Sequence, residues 1–208
     1  MPTTDASQPA TTMVVAADPH TRHDLVRCLD GAYLRAEGYA SAGALMRTRC
    51  PADAGCIVLD VDAPGLQGLV TQEQLQRAGF DQPMIVLTGF GEVAVAVHAL
   101  QRGAFDLIEK PASAARLLAA LEQALALDAD RRHLARIRAA YRGRLGRLTP
   151  RERQVMGLVV DGMANKVVAS DLGISEKTVE THRARVMEKL AVRSLAELVR
   201  LDTLHGRA

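Results

Sequence analysis

Two rhythms of apolar spacing divide this chain. Up to about residue 110, short unbroken apolar runs recur at 13–17 (MVVAA), 56–61 (CIVLDV), 84–88 (MIVLT) and 105–108, with a weaker one at 32–37. Each is too short for a helix and lacks polar alternation, the pattern of strands buried on both faces. Between them, helical spacing predicts helices over 21–29, over 41–47 behind a Ser41 cap, and over 68–78 and 92–101. Asp18-Pro19, Ala54-Gly55 and Pro64-Gly65 supply the breaks. Strands alternating with helices predict a parallel sheet covered on both sides.

From Ser113 onward only three-and-four spacing remains. Ser113 can cap a helix that meets no Pro or Gly until Gly143 once it has begun at Arg116-Leu117-Leu118. Leu117, Leu121 and Leu125, then Leu134, Ile137 and Tyr141, hold one face of it, interrupted by the charged DADRRH. This long helix is read as the interdomain linker. Its Arg131, Arg132, Arg136, Arg138, Arg142 and Arg144 read as a solvated face before they read as a DNA contact. Its distal stripe is available to a second copy or to the first domain.

Residues 148–201 then predict four short helices. Thr149, Pro150 and Glu152 make a capping box with Pro at the first helical position, and Val155, Leu158 and Val159 form the buried stripe up to Asp161-Gly162. A second helix covers Asn165–Leu172, Gly173 ends it, and Ser175 caps a third that runs to about Leu190. Ser194 and Glu197 form another box for a fourth, whose Leu195, Leu198 and Val199 close the core. On the third helix Val179, Val186 and Leu190 share the apolar side. Lys177, Thr181 and Ala184 point away, with Glu180 and Arg185 at the margin. Short polar side chains near a helix N-terminus suit a major groove.

Composition sharpens the division. Residues 1–127 hold 9 Lys and Arg against 14 Asp and Glu, a net of −5, whereas 128–208 hold 17 against 10, a net of +7. The basic half is the one with the paired helices, as a phosphate partner requires. Cys28, Cys50 and Cys56 have no metal-like spacing and read as reduced thiols of a cytoplasmic protein. No apolar run reaches membrane-spanning length, and the polar start reads as a disordered tail over 1–12 rather than a leader. His98 and His133 read as surface residues.

In a parallel sheet, sites gather at the carboxyl ends of the strands. Those ends carry Asp18, Asp60, Thr88 and Lys110, four polar groups from separate parts of the chain on one edge. Taken singly, each reads more simply as an ion pair with a nearby hydroxyl. An enzyme using Lys110 and Asp60 as acid and base would also need a cofactor loop or substrate pocket, and neither is evident. A protein-sequestering module remains open at this point.

The segments LTPRERQV, GMANKVVASDLGIS, KTVETHRARVMEKL and VRSLAELVRL resemble the LuxR-type helix-turn-helix of bacterial transcription regulators. CIVLDVDAPGLQG, IVLTGFGE and ALQRGAFDLIEKP resemble the receiver domains of two-component response regulators. Together the resemblance covers nearly the whole chain and is to the LuxR/FixJ-like subclass. It implies a flavodoxin-like (βα)5 receiver over 13–127, a helical linker over 128–146 and a four-helix DNA-binding domain over 147–208. It implies Asp60 as phosphoacceptor, Thr88 as switch hydroxyl, Lys110 as the cation on the phosphoryl group, and a cis bond before Pro111. It further implies double-stranded DNA as partner, a homodimer, a sensor histidine kinase upstream and no catalytic residues of an enzyme.

The pattern fails at one informative place. Receivers carry two Mg²⁺-holding acids at the end of strand one, where this chain has Ala16 and Ala17, so Asp18 and Asp60 are the metal candidates left. The matching position of nearby Asp62 contributes only a backbone carbonyl. Leu107 and Ala112 stand at the usual aromatic positions around Lys110. The expectation is a DNA-binding regulator whose receiver takes up phosphate poorly with Mg²⁺, with Lys110 paired directly to Asp60. The alternative is a regulator switched by a kinase at Asp60. Base readout is assigned to Lys177, Glu180, Thr181 and Ala184, and backbone contacts to Lys166, Thr178, His182, Arg183 and Lys189.

Overall fold

A computed structural model of the chain describes residues 10–48, 54–61, 67–89, 97 and 99–205. The chain divides into two compact units, Met1–Arg131 and Arg132–Ala208. Cys50, Asp62, His98 and most of the helix expected over 92–101 lie outside the described residues.

The first unit is built on five parallel strands: β1 (Thr11–Val15), β2 (Ala36–Tyr39), β3 (Ala54–Val61), β4 (Met84–Thr88) and β5 (Asp106–Glu109). Their order is β2-β1-β3-β4-β5, the doubly wound arrangement with its switch point between β1 and β3. Alternation decides the two cores. Ile57, Leu59, Val61, Met84 and Val86 face one layer, with Leu45 of α2 (Ala42–Arg47) and Leu75 of α3 (Gln67–Arg77). Cys56, Val58, Ile85 and Leu87 face the other, with Leu29 of α1 (Pro19–Gly31) and Leu117, Ala120, Leu121 and Ala124 of α4 (Ala114–Leu145). Burial pushes the Cys56 thiol up to about 12, aided by the nearby Asp128 carboxylate, so it is held unreactive.

Several boundaries differ from expectation. Strand β1 begins at Thr11, inside the stretch expected to be a tail, because parallel pairing buries Thr11 and Thr12 between β2 and β3 despite their hydroxyls. Strand β2 starts four residues later than predicted and ends two later. Helix α1 runs on to Gly31, and a turn through Tyr33, at φ 60, occupies the start of the expected strand. The shifted strand includes Gly38, where a Cβ would meet the Arg22 stem at 2.9 Å. Strand β5 is displaced by one residue, and the Lys110-Pro111 bond is cis.

In the second unit, α5 (Pro150–Val160), α6 (Asn165–Leu172), α7 (Glu176–Leu190) and α8 (Leu195–His205) follow the tail of α4. The Thr149 capping box forms in both directions, and Gly173 at φ 65 ends α6. One small core holds Val155, Val159, Val168 and Val179; a second holds Met156, Val186, Leu190 and Leu198, with Tyr141 from α4. No helix among the described residues is long and apolar enough to cross a membrane.

Candidate functional site

The carboxyl edge of the sheet brings Asp60, Thr88 and Lys110 together. Asp60 is the penultimate residue of β3, opposite Leu87, and Thr88 is the last residue of β4, opposite Val61. Lys110 follows β5 directly, and its backbone N–H donates to the Thr88 carbonyl at 2.8 Å. The Lys110 ammonium forms an ion pair with Asp60 Oδ1; the Asp60 side chain is fully buried and that of Lys110 is 26% exposed. A buried carboxylate needs such a counter-charge, since desolvation disfavours it alone.

Asp18 is placed differently from these three. It stands at the N-cap of α1, where its Oδ2 accepts from the Thr21 N–H at 2.6 Å. Those hydrogen bonds from Thr21, backbone first, hold its carboxyl below the usual range, with smaller help from His20 and Arg22. Ala16 is fully buried and Ala17 exposed. The Arg22 guanidinium donates to their carbonyls, at 2.6 Å to Ala16 and 3.2 Å to Ala17. Leu107 packs partly buried against the first core.

The second candidate surface is α7. Lys177, Glu180, Thr181, Ala184 and Arg185 are exposed, while Val179, Val186 and Leu190 are buried. The outward face read from the sequence is therefore the outward face of the helix, with Arg185 fully part of it. Lys177 Nζ lies 3.0 Å from Glu180 Oε2, an exposed pair that water weakens. Thr181 Oγ1 donates to the Lys177 carbonyl at 3.0 Å. Thr178 sits at the Ser175 cap, with its N–H 3.1 Å from Ser175 Oγ. His182 is half-buried, and Lys166 is exposed on α6.

Two of the expected backbone contacts are engaged within the unit. Arg183 donates to the Asn165 side-chain oxygen, which ties α7 to the start of α6. Lys189 Nζ donates to Glu152 Oε2 at 2.6 Å, and that oxygen also accepts from the Thr149 N–H at 2.8 Å. The Lys189 hydrogen bond, then the Thr149 N–H, lower the Glu152 carboxyl to about 2. Arg144, expected on a solvated face, instead donates from Nη1 to the Leu190 carbonyl at 3.1 Å, and Arg151, not singled out from the sequence, donates to the Leu172 carbonyl. Both arginines serve helix C-terminal ends, and nothing local in the sequence signals such long-range partners.

Residues 12–122 match the response regulator receiver domain, and residues 146–201 match the luxR family of bacterial regulatory proteins. The transcriptional regulatory protein FixJ of Azorhizobium caulinodans is 40% identical over 94% of this chain and 92% of its own. Nodulation protein W of Bradyrhizobium diazoefficiens is 37% identical over 98% of this chain and 89% of its own. Among solved structures, the response regulator StyR superimposes with a TM-score of 0.83 at 37% identity, covering 94% of this chain and 99% of that one. A receiver sheet followed by a helix-turn-helix, matched end to end by relatives of the same two-part build, places the chain in the response regulators with a luxR-type DNA-binding domain, as a transcription regulator of the FixJ-like group.

Proposed function

We propose that this regulator binds duplex DNA as a homodimer through α7 and that its receiver works without the usual Mg²⁺-dependent phosphorylation of Asp60. The observation that carries the second part is the end of β1. A hard divalent cation needs carboxylate oxygens there, and the chain offers a buried methyl at Ala16 and an exposed one at Ala17. The remaining acid, Asp18, is committed to the α1 cap. Among the described residues no cluster of three His, Cys, Asp or Glu side chains converges to hold a metal. These residues do not fit a Mg²⁺ site. Asp60 is instead neutralised from within the protein, by Lys110.

At α7, Lys177, Glu180, Thr181 and Ala184 read base edges, while Lys166, Thr178, His182 and Arg183 contact the backbone. Arg183 does so by leaving Asn165 or by sharing its remaining donors. Lys189 holds α7 to the α5 capping box and reaches the backbone with its remaining donors. The name of one relative, a transcriptional regulatory protein, supports gene control as the output.

A second reading is the conventional one, in which a sensor histidine kinase phosphorylates Asp60. It is favoured by Asp60, Thr88 and Lys110 standing together at the sheet edge. Intact-mass measurement after incubation with acetyl phosphate, with and without Mg²⁺, separates the two. Our reading expects no added phosphate and an unchanged gel shift on a random duplex pool. Mg²⁺-dependent phosphate on Asp60 together with a stronger shift would establish the conventional switch.

A further inference from the structure

The luxR-family match begins at residue 146, yet the compact C-terminal unit begins at Arg132. The difference is the last stretch of α4, and it is bound into this unit by specific contacts. Tyr141 is 2% exposed, in one cluster with Leu148, Met156, Val186, Leu190 and Leu198. Burial, with the nearby Asp202 carboxylate as a smaller cause, pushes its hydroxyl pKa up to about 12. Arg153 of α5 reaches back to the Leu145 carbonyl at 3.1 Å.

The contact that bears on DNA is Arg144 Nη1 on the Leu190 carbonyl. Leu190 is the last residue of α7, and its carbonyl is among those a helix end leaves without an intrahelical donor. A cation there also meets the negative end of the helix dipole. Beside it, Leu190 shares one core cluster with Tyr141, and Lys189 is fixed on Glu152. The C-terminal end of α7 is thus set by α4 and α5, while its outward face stays open.

We infer that Tyr141 and Arg144 are positioning residues for DNA recognition: the end of α4 is a fifth helix of the DNA-binding unit and sets the attitude of α7. The inference rests on α7 being the reading helix. It assigns Arg144 to a carbonyl of its own chain and excludes it from the phosphate contacts.

The test uses the full chain and two duplexes, one selected from a random pool by the wild-type protein and one scrambled. Thr181→Ala serves as the control for α7 reading. Arg144→Ala should lower the selected-to-scrambled affinity ratio by about threefold to tenfold, with an unchanged salt slope. Tyr141→Leu, which alters no charge, should lower the same ratio. Equal losses on both duplexes, with a slope reduced by about 1, would make Arg144 a phosphate contact and overturn the inference. Unchanged binding in both variants would reduce these residues to packing and overturn it as well. If Thr181→Ala also leaves the ratio unchanged, the reading of α7 falls first, and the two failures are told apart.

Discussion

Glu152 is nearly buried, accepts from both the Thr149 N–H and Lys189, and has its carboxyl held at about 2 against an ordinary 4.5. A carboxylate held below its unfolded value favours the fold while it is ionised. Its contribution is therefore full above pH 4.5 and is lost as pH falls through about 2. Glu152→Gln should begin less stable at neutral pH and then lose less across that window. Amide exchange in α5 and α7 between those pH values would show it, and parallel curves for both proteins would refute it. A second residue carries a backbone cost: Ala191, the C-cap of α7, sits in the left-handed region at φ 54. Glycine adopts that region without the Cβ penalty, although it also loosens the unfolded chain, so Ala191→Gly should stabilise the protein by about 0.5–1 kcal/mol. Thermal unfolding of the variant checks the sign.

Helix α7 divides its labour by face, and a substitution should report the face it touches. Thr181→Ala on the exposed side should change the preferred sequence by about 1 kcal/mol at one position, leaving the salt slope alone. Lys166→Ala on α6 should weaken every duplex alike and reduce the slope by about 1. Selection from a random pool, with binding measured at several salt concentrations, distinguishes the two; identical behaviour would remove the assignment. Much of this element was legible in the sequence, because the Thr149 box, the Ser175 cap and the Gly173 turn each depend on residues within a few positions of one another. What fastens α7 was not, because its fasteners lie far away in sequence: Lys189 to Glu152 spans 37 residues and Arg144 to Leu190 spans 46. Strand β2 was misplaced for a related reason. Its four residues are AEGY, with no apolar run to find, and pairing with β1 rather than composition makes them a strand.

Across the molecule, the net of −5 in one half and +7 in the other already separated a regulatory unit from a DNA-binding one. The sheet-edge residues were likewise found from the rule that parallel strands present their sites at carboxyl ends, and the strand register brings Asp60 and Thr88 there on adjacent strands. Ala16 and Ala17 stand where the resemblance to receiver domains implies acids, and by itself the sequence determined the two-part build, the identity of the edge residues and the outward face of α7. All of these follow from periodicity, charge or local capping, which a linear string records. Only the tertiary structure decided which charges are used up inside the protein. The Lys110 pair with Asp60 was already expected, but Asp18 on the α1 cap, Lys189 on Glu152 and Arg144 on Leu190 are choices of partner. Such choices follow from which groups folding brings within hydrogen-bond reach and away from water, and a spacing rule cannot supply that.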